Sequence, residues 1–204
     1  MAQKIQRLKE SPSQTAGPYV HIGCTPSFTG IDIYPEDLGS KMVNAQTKGE
    51  RVAISGTVID GAGMVLRDTM VEIWQADAQG LYNSPQEARG TADANFTGWG
   101  RSPGDADTGE FHFDTIKPGR VANRDGRLFA PHITFWIVAR GINLGLHTRM
   151  YFADEPAANA EDPILTRIEH QNRVPTLLAK NDGKGSYRFD IVLQGKDETI
   201  FLDI

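Results

Sequence analysis

From residue 51 onward the apolar positions of the chain recur with a period of two. In RVAISGTVID (51–60), Val52, Ile54, Gly56 and Val58 alternate with more polar neighbours, the period of a strand that buries one face. A DGAG turn at 60–63 follows, and MVLRDTMVEIWQAD (64–77) carries the chain into further strand. GEFHFDTI (109–116) sets Phe111 and Phe113 against His112 and Asp114, so the histidine faces away from the phenylalanines. HITFWIVAR (132–140) is a denser apolar run, expected to be a strand buried on both faces. Within it the adjacent Phe135 and Trp136 must point to opposite faces, so either one of them packs outside the core of its own domain or both faces are covered within it. LHTRMYF (146–152), SYRFDIVLQ (186–194) and ETIFLDI (198–204) supply three more candidate strands. Short strands separated by Gly, Pro and Asp turns predict a mostly β fold, a β-sandwich with long connecting loops and one or two short helices. The helices are expected at 161–170, where Ile164, Leu165 and Ile168 follow Asp162 and Pro163, and near Pro35, Glu36 and Asp37. The polar stretch 83–108 reads as one long loop, and loops of that length are usually functional or disordered.

Upstream of residue 51 strand signals are sparse. Residues 1–10 read as a charged arm, and SPSQTAGPY (11–19) as extended or turning backbone, because proline fixes φ and biases the preceding residue away from helix. The 204 residues suit one domain with extensions. A net charge of -5 argues against a nucleic-acid footprint, no apolar run is long enough to span a bilayer, and MAQKIQRLKE does not read as a leader peptide. The single Cys24 makes no internal disulfide, and a cytoplasmic protein is the expectation.

Five histidines invite a metal hypothesis: His21, His112, His132, His147 and His170. None falls in a zinc-type spacing, and one cysteine rules out a thiolate cluster. A serine hydrolase is equally unsupported, since no G-x-S-x-G elbow is present. Read singly, Gly17-Pro18 is a rigid bend, Thr15 a local backbone cap, and Arg140 a rim charge at the end of an apolar strand.

Four segments taken together say more: SPSQTAGPYVHIG (11–23), VEIWQADAQGLY (71–82), IKPGRVANRDGRLFAPHITFW (116–136) and ARGINLGLHTRMYF (139–152). In order, spacing and coverage, from about Ser11 to Ile204, they resemble the intradiol ring-cleavage dioxygenases, and among them the chains that pair with an unlike, iron-bearing partner. The resemblance implies a mononuclear non-haem Fe(III) held by two tyrosines and two histidines. Hard phenolate oxygens suit ferric iron, and an H-x-H pair on a strand points both imidazoles to one face.

Carried over residue by residue, the first tyrosine position is Tyr82 and the second, two residues beyond Lys117-Pro118-Gly119, is Val121. The first histidine is His132, the second position holds Thr134, and the arginine that precedes the pair in catalytic chains is replaced by Phe129. Val121 has no donor atom and a neutral threonine hydroxyl is a poor substitute for imidazole, so Tyr82, Val121, His132 and Thr134 read as a degenerate metal site. Tyr82 and His132 are expected to bond each other or the backbone in a filled core.

The resemblance further implies a homologous β chain that carries the Fe(III), assembled with this chain as αβ pairs in a hetero-oligomer. The whole chain would be a single domain, with residues 1–50 an arm and extension packing on the partner. Protocatechuate and O2 are the implied substrates. This chain would contribute no catalytic residue of its own, and its share of the substrate pocket would be Thr15, Gly17, Pro18 and Arg140, with Tyr19 on the same wall. Two rivals remain open at this point: a homomeric intradiol enzyme acting on catechol, against which the lost ligands argue, and a non-catalytic β-sandwich scaffold.

Overall fold

The computed structural model describes residues 14–17 and 19–203; Pro18 and the charged arm at 1–10 lie outside the described residues. Nine strands occur among them: β1 Arg51–Ile59, β2 Met70–Trp74, β3 Trp99–Pro103, β4 Glu110–Ile116, β5 His132–Val138, β6 Leu146–Phe152, β7 Leu178–Gly183, β8 Ser186–Arg188 and β9 Ile191–Val192. They hydrogen-bond in the order β3-β2-β5-β6-β7-β8-β1-β4, with β9 beside β1. The path folds into two layers, β3-β2-β5-β6 and β7-β8-β1-β4, joined where β6 pairs in parallel with β7 through Tyr151↔Leu178 and Phe152↔Ala179.

Alternation explains the core between the layers. Ile54 on β1 and Phe111 and Phe113 on β4 face Ile73 on β2, Phe135 on β5 and Met150 on β6, all within one buried cluster. Phe135 lies at the centre, with ring centroids 5.9 Å from Phe111, 6.4 Å from Phe113 and 5.2 Å from Phe189. His112 points to solvent and meets Asp114 at 3.1 Å, as the alternation requires. On β5, Ile133, Phe135 and Ile137 are fully buried, whereas Thr134, Trp136 and Val138 are only half-covered. The strand read as buried on both faces is therefore dry on one, and Trp136 is the residue left outside the core.

Four expectations are corrected. The helix read at 161–170 lies earlier, as α2 Pro156–Glu161. Asp162 ends it in an extended conformation (φ -64, ψ 127), the state favoured before a proline, and Leu165–Arg167 form only a 3-10 turn. No helix opens at Pro35, where Asp37 is instead engaged by the Ser27 backbone N–H (3.2 Å) and hydroxyl (2.8 Å). The 83–108 loop contains β3, an edge strand whose Gly100 and Pro103 disguise it. ETIFLDI is no strand: two isolated backbone bonds, Thr199 N–H to Val192 O and Leu202 N–H to His147 O, hold it against the sandwich. The first helix, α1 Tyr19–Cys24, follows the SPSQTAGPY stretch directly. Among the described residues no helix is long and apolar enough to cross a membrane.

Candidate functional site

The predicted residues fall into two places, one at each end of β5. The first is built by the arm. The Thr15 hydroxyl donates to Ala139 O (3.2 Å) and accepts from the Gly141 backbone N–H (2.7 Å), so it clasps the arm to both sides of Arg140. Gly17 and Arg140 then border one cavity of about 250 Å³, together with His21, Phe28 and Asp68. Arg140 is largely exposed and its Nε meets Asp68 Oδ2 at 3.1 Å. Behind it, His21 is buried, with Nδ1 against the Thr25 hydroxyl at 3.2 Å and Nε2 against Asp68 O at 3.1 Å. The chain thus fixes the loop carrying Asp68 to α1, and the Asp68 carboxylate pairs with the guanidinium. Tyr19, the first residue of α1, is 83% exposed and is not among the residues that border the cavity. Pro18 lies outside the described residues.

The second place holds the positions that the resemblance reads as a degenerate metal site, Tyr82, Val121, His132 and Thr134. Its segments are brought together by two glycines. Gly80, at φ +80, lets the turn after β2 pass so close to Arg120 O that a Cβ there would lie 2.2 Å from it. A Cβ on Gly119 would lie 2.6 Å from Ala78 O and from Gly80 N. The Gly119 N–H donates to Asp77 O at 2.8 Å, while the buried Asp77 carboxylate accepts from the N–H groups of Gln79, Leu81 and Asp93. These contacts hold the turn that leads to Tyr82 against the backbone that leads to Val121. A bond from Phe129 N–H to Val121 O at 2.8 Å then returns the chain toward β5 and His132.

His132 and Thr134 share the outer face of β5, and across the ladder they meet Tyr151 and Arg149 of β6. His132 Nδ1 lies 2.7 Å from Ala130 O, a carbonyl that only accepts, so this nitrogen carries the proton and Nε2 presents its lone pair. Burial, reinforced by the nearby Arg149 charge, pushes the imidazole down to about 4, so the ring is neutral. Tyr82 stacks on Trp74 at 5.9 Å with parallel rings, and Arg89 lies over its other side at 5.9 Å from the centroid. Burial raises the Tyr82 phenol, with the Arg149 and Arg89 charges pulling the other way. Burial likewise raises Tyr151, whose hydroxyl donates to the buried Asp162 carboxylate at 3.3 Å.

Intradiol dioxygenases use Fe(III). The residues here do not fit it: Val121 offers no donor, Thr134 offers a neutral hydroxyl, and the Arg149 guanidinium is carried directly opposite Thr134 on the same face. The expectation that His132 bonds the backbone holds; for Tyr82 the partners are aromatic and cationic instead of the histidine. Sequence reasoning missed Arg149, Asp68 and His21. Alternation along LHTRMYF was a sufficient signal for Arg149, because it puts that residue on the His132 face once β5 and β6 pair. Nothing local marked Asp68.

The family model described as Dioxygenase matches residues 25–195. The protocatechuate 3,4-dioxygenase alpha chain of Pseudomonas putida is 46% identical over 202 residues, which is 98% of each chain. The protocatechuate 3,4-dioxygenase beta chain of Burkholderia cepacia is 35% identical over 85% of this chain and 78% of its own. Among solved structures, the dioxygenase domain of a dioxygenase and carbohydrate-binding protein fusion from Streptomyces sp. SirexAA-E superposes with a TM-score of 0.57 at 28% identity, covering 77% of this chain and 88% of that one. The chain belongs to the intradiol ring-cleavage dioxygenase family.

Proposed function

We propose that this chain is the α-type, non-iron-binding subunit of a protocatechuate-cleaving intradiol dioxygenase, and that it completes an active site whose Fe(III) is held by a homologous β chain. The observation that carries the reading is the separation of the two places just described. Arg140 and the Thr15 clasp lie beyond the Val138 end of β5, whereas His132 and Thr134 lie at or near its start. Six strand steps of about 3.3 Å make that roughly 20 Å. The wall built around Arg140 is therefore too far away to serve this chain's own degenerate site and faces outward, toward another molecule. Residues 1–50 form the extension that lies on that partner, in a cytoplasmic hetero-oligomer of αβ pairs. Similarity to both an alpha and a beta chain supports the assembly.

In this reading the partner's iron supplies the oxygen chemistry. Both atoms of O2 enter the product, 3-carboxy-cis,cis-muconate, as the bond between the two hydroxylated carbons breaks. This chain's residues bind and orient. Arg140 exchanges Asp68 for the carboxylate of protocatechuate, a planar anion that a guanidinium grips through paired N–H groups. Thr15 holds the arm so that Gly17 and Pro18 present backbone to the ring at close approach. Closure by the arm excludes water and fixes one ring orientation, contributions of proximity and desolvation that need no acid or base on this chain.

The test is iron content and protocatechuate-dependent O2 uptake, measured on the chain expressed alone and co-expressed with its β chain. The reading expects an iron-free, inactive chain and an active ferric pair. Stoichiometric iron and catechol cleavage by the lone chain would overturn it.

A further inference from the structure

The outer face of β5 and β6 holds a charge that the wall and its proposed role do not use. Arg149 lies directly opposite Thr134 in the β5–β6 register, on the same face as His132. Its guanidinium carbon stands 5.3 Å from the centroid of Phe129, and the Phe129 ring is in turn 5.7 Å from that of His132. Nε and Nη1 of Arg149 are buried with no hydrogen-bond partner among the described residues, and so is Nε2 of His132, a residue only 3% exposed. A buried guanidinium with unsatisfied N–H groups is costly and calls for an explanation. Here the face of Phe129 supplies the attraction that a carboxylate would normally give. The cation missing at position 129 has in effect re-entered from the neighbouring strand.

We propose that Arg149 closes this chain's metal site, its guanidinium standing as a built-in cation opposite Thr134 and on the same face as His132, so that no iron is held there even when the lost ligands are restored. The inference rests on the reading of this chain as the iron-free subunit and goes beyond it. Absence of Val121 and Thr134 donors would make metal binding weak; a fixed positive charge opposes a trivalent ion at that position whatever the donors. The αβ pair thereby has one ferric centre, and the second cleft is kept from competing for iron.

The test uses the chain co-assembled with its β partner. Val121→Tyr with Thr134→His restores the four-ligand set, once with Arg149 kept and once with Arg149→Gln added. Iron per αβ pair and the visible phenolate-to-iron absorption are measured beside the unaltered pair. Expected values are about one iron for the unaltered pair and for the restored pair with Arg149, and about two, with roughly doubled absorption, once Arg149 is replaced. Equal loading of the two restored forms, whether at one iron or two, in intact assemblies overturns the role of Arg149. Iron in the unaltered chain itself would instead overturn the subunit reading, so the two failures are distinct. Should the triple variant not assemble, Arg149→Gln alone is titrated with Cu(II), the tightest-binding divalent ion of the first transition row. An imidazole-nitrogen hyperfine signal that is absent in the unaltered pair and abolished by adding His132→Ala supports the inference; its absence overturns it.

Discussion

At the scale of single residues, Arg140 and His132 carry the sharpest expectations. Arg140 is largely exposed and its pair with Asp68 is solvent-screened, so its removal should barely alter stability. In the assembled enzyme, Arg140→Ala should raise the KM for protocatechuate by about tenfold, with kcat changed less, because the lost interaction exists in both the bound and the reacting states. Steady-state kinetics check this, and an unchanged KM with unchanged turnover would favour the scaffold rival. His132 makes a stability prediction whose sign follows from its neutral folded form. An imidazole whose folded value is about 4 and whose unfolded value is near 6.5 binds more protons when unfolded within that window. Its neutral burial is harmless above pH 6.5, and stability is lost as pH falls from about 6.5 toward 4, on the order of 3 kcal/mol in all. Denaturant melts at pH 7 and pH 4.5 should therefore diverge for the unaltered protein, and His132→Gln should narrow that divergence.

Among the elements, the turn after β2 and the KPG segment act as one piece. Gly119→Ala introduces a Cβ 2.6 Å from two backbone atoms, neither of which belongs to a flexible side chain. The turn must shift, and a loss of about 1–3 kcal/mol is expected from overpacking of this kind. Tyr82 rides on that turn and stacks on Trp74, so its fluorescence and near-ultraviolet dichroism should change along with the melting midpoint. Phe135 tests the other face of β5. Phe135→Ala empties the centre of the aromatic cluster and should cost about 3–5 kcal/mol, read from urea denaturation of the assembled protein.

For the whole molecule, the consequential feature is the half-covered outer face and arm. Tyr19, Ile33, Tyr34, Leu38 and Leu144 are each at least 60% exposed, and Trp74 and Trp136 are open to solvent in part. Scattered exposed apolar residues are ordinary, but with Met64 there are six this exposed among the described residues, four of them within 19–38, which suits a surface completed by a partner. The chain expressed alone should aggregate or self-associate at concentrations where the αβ pair is monodisperse. Sedimentation of both preparations at equal concentration gives the comparison, and a well-behaved lone monomer would count against the arm as an interface element.

Periodicity located most of this sandwich, because alternation along β1, β4, β5 and β6 is the direct imprint of a one-sided core. It failed where another force overrode it. Asp162 before Pro163 broke a helical spacing, glycine and proline masked the edge strand β3, and the apolar tail ran along the sandwich without pairing into it. At the two ligand positions that the resemblance implies, Val121 and Thr134, the missing donors were legible in the sequence, since no folding gives valine a donor atom. Alternation could put Arg149 on the outer face of its strand, but its meeting with Phe129 was not legible, because the two are distant in sequence and meet only once the β5–β6 register is set. The same holds for Thr15 and Arg140, 125 residues apart in the chain and joined by a hydroxyl that clasps the backbone beside the guanidinium. Chemistry that a residue lacks is decided by its type; chemistry that arises between residues waits for the fold to bring them together.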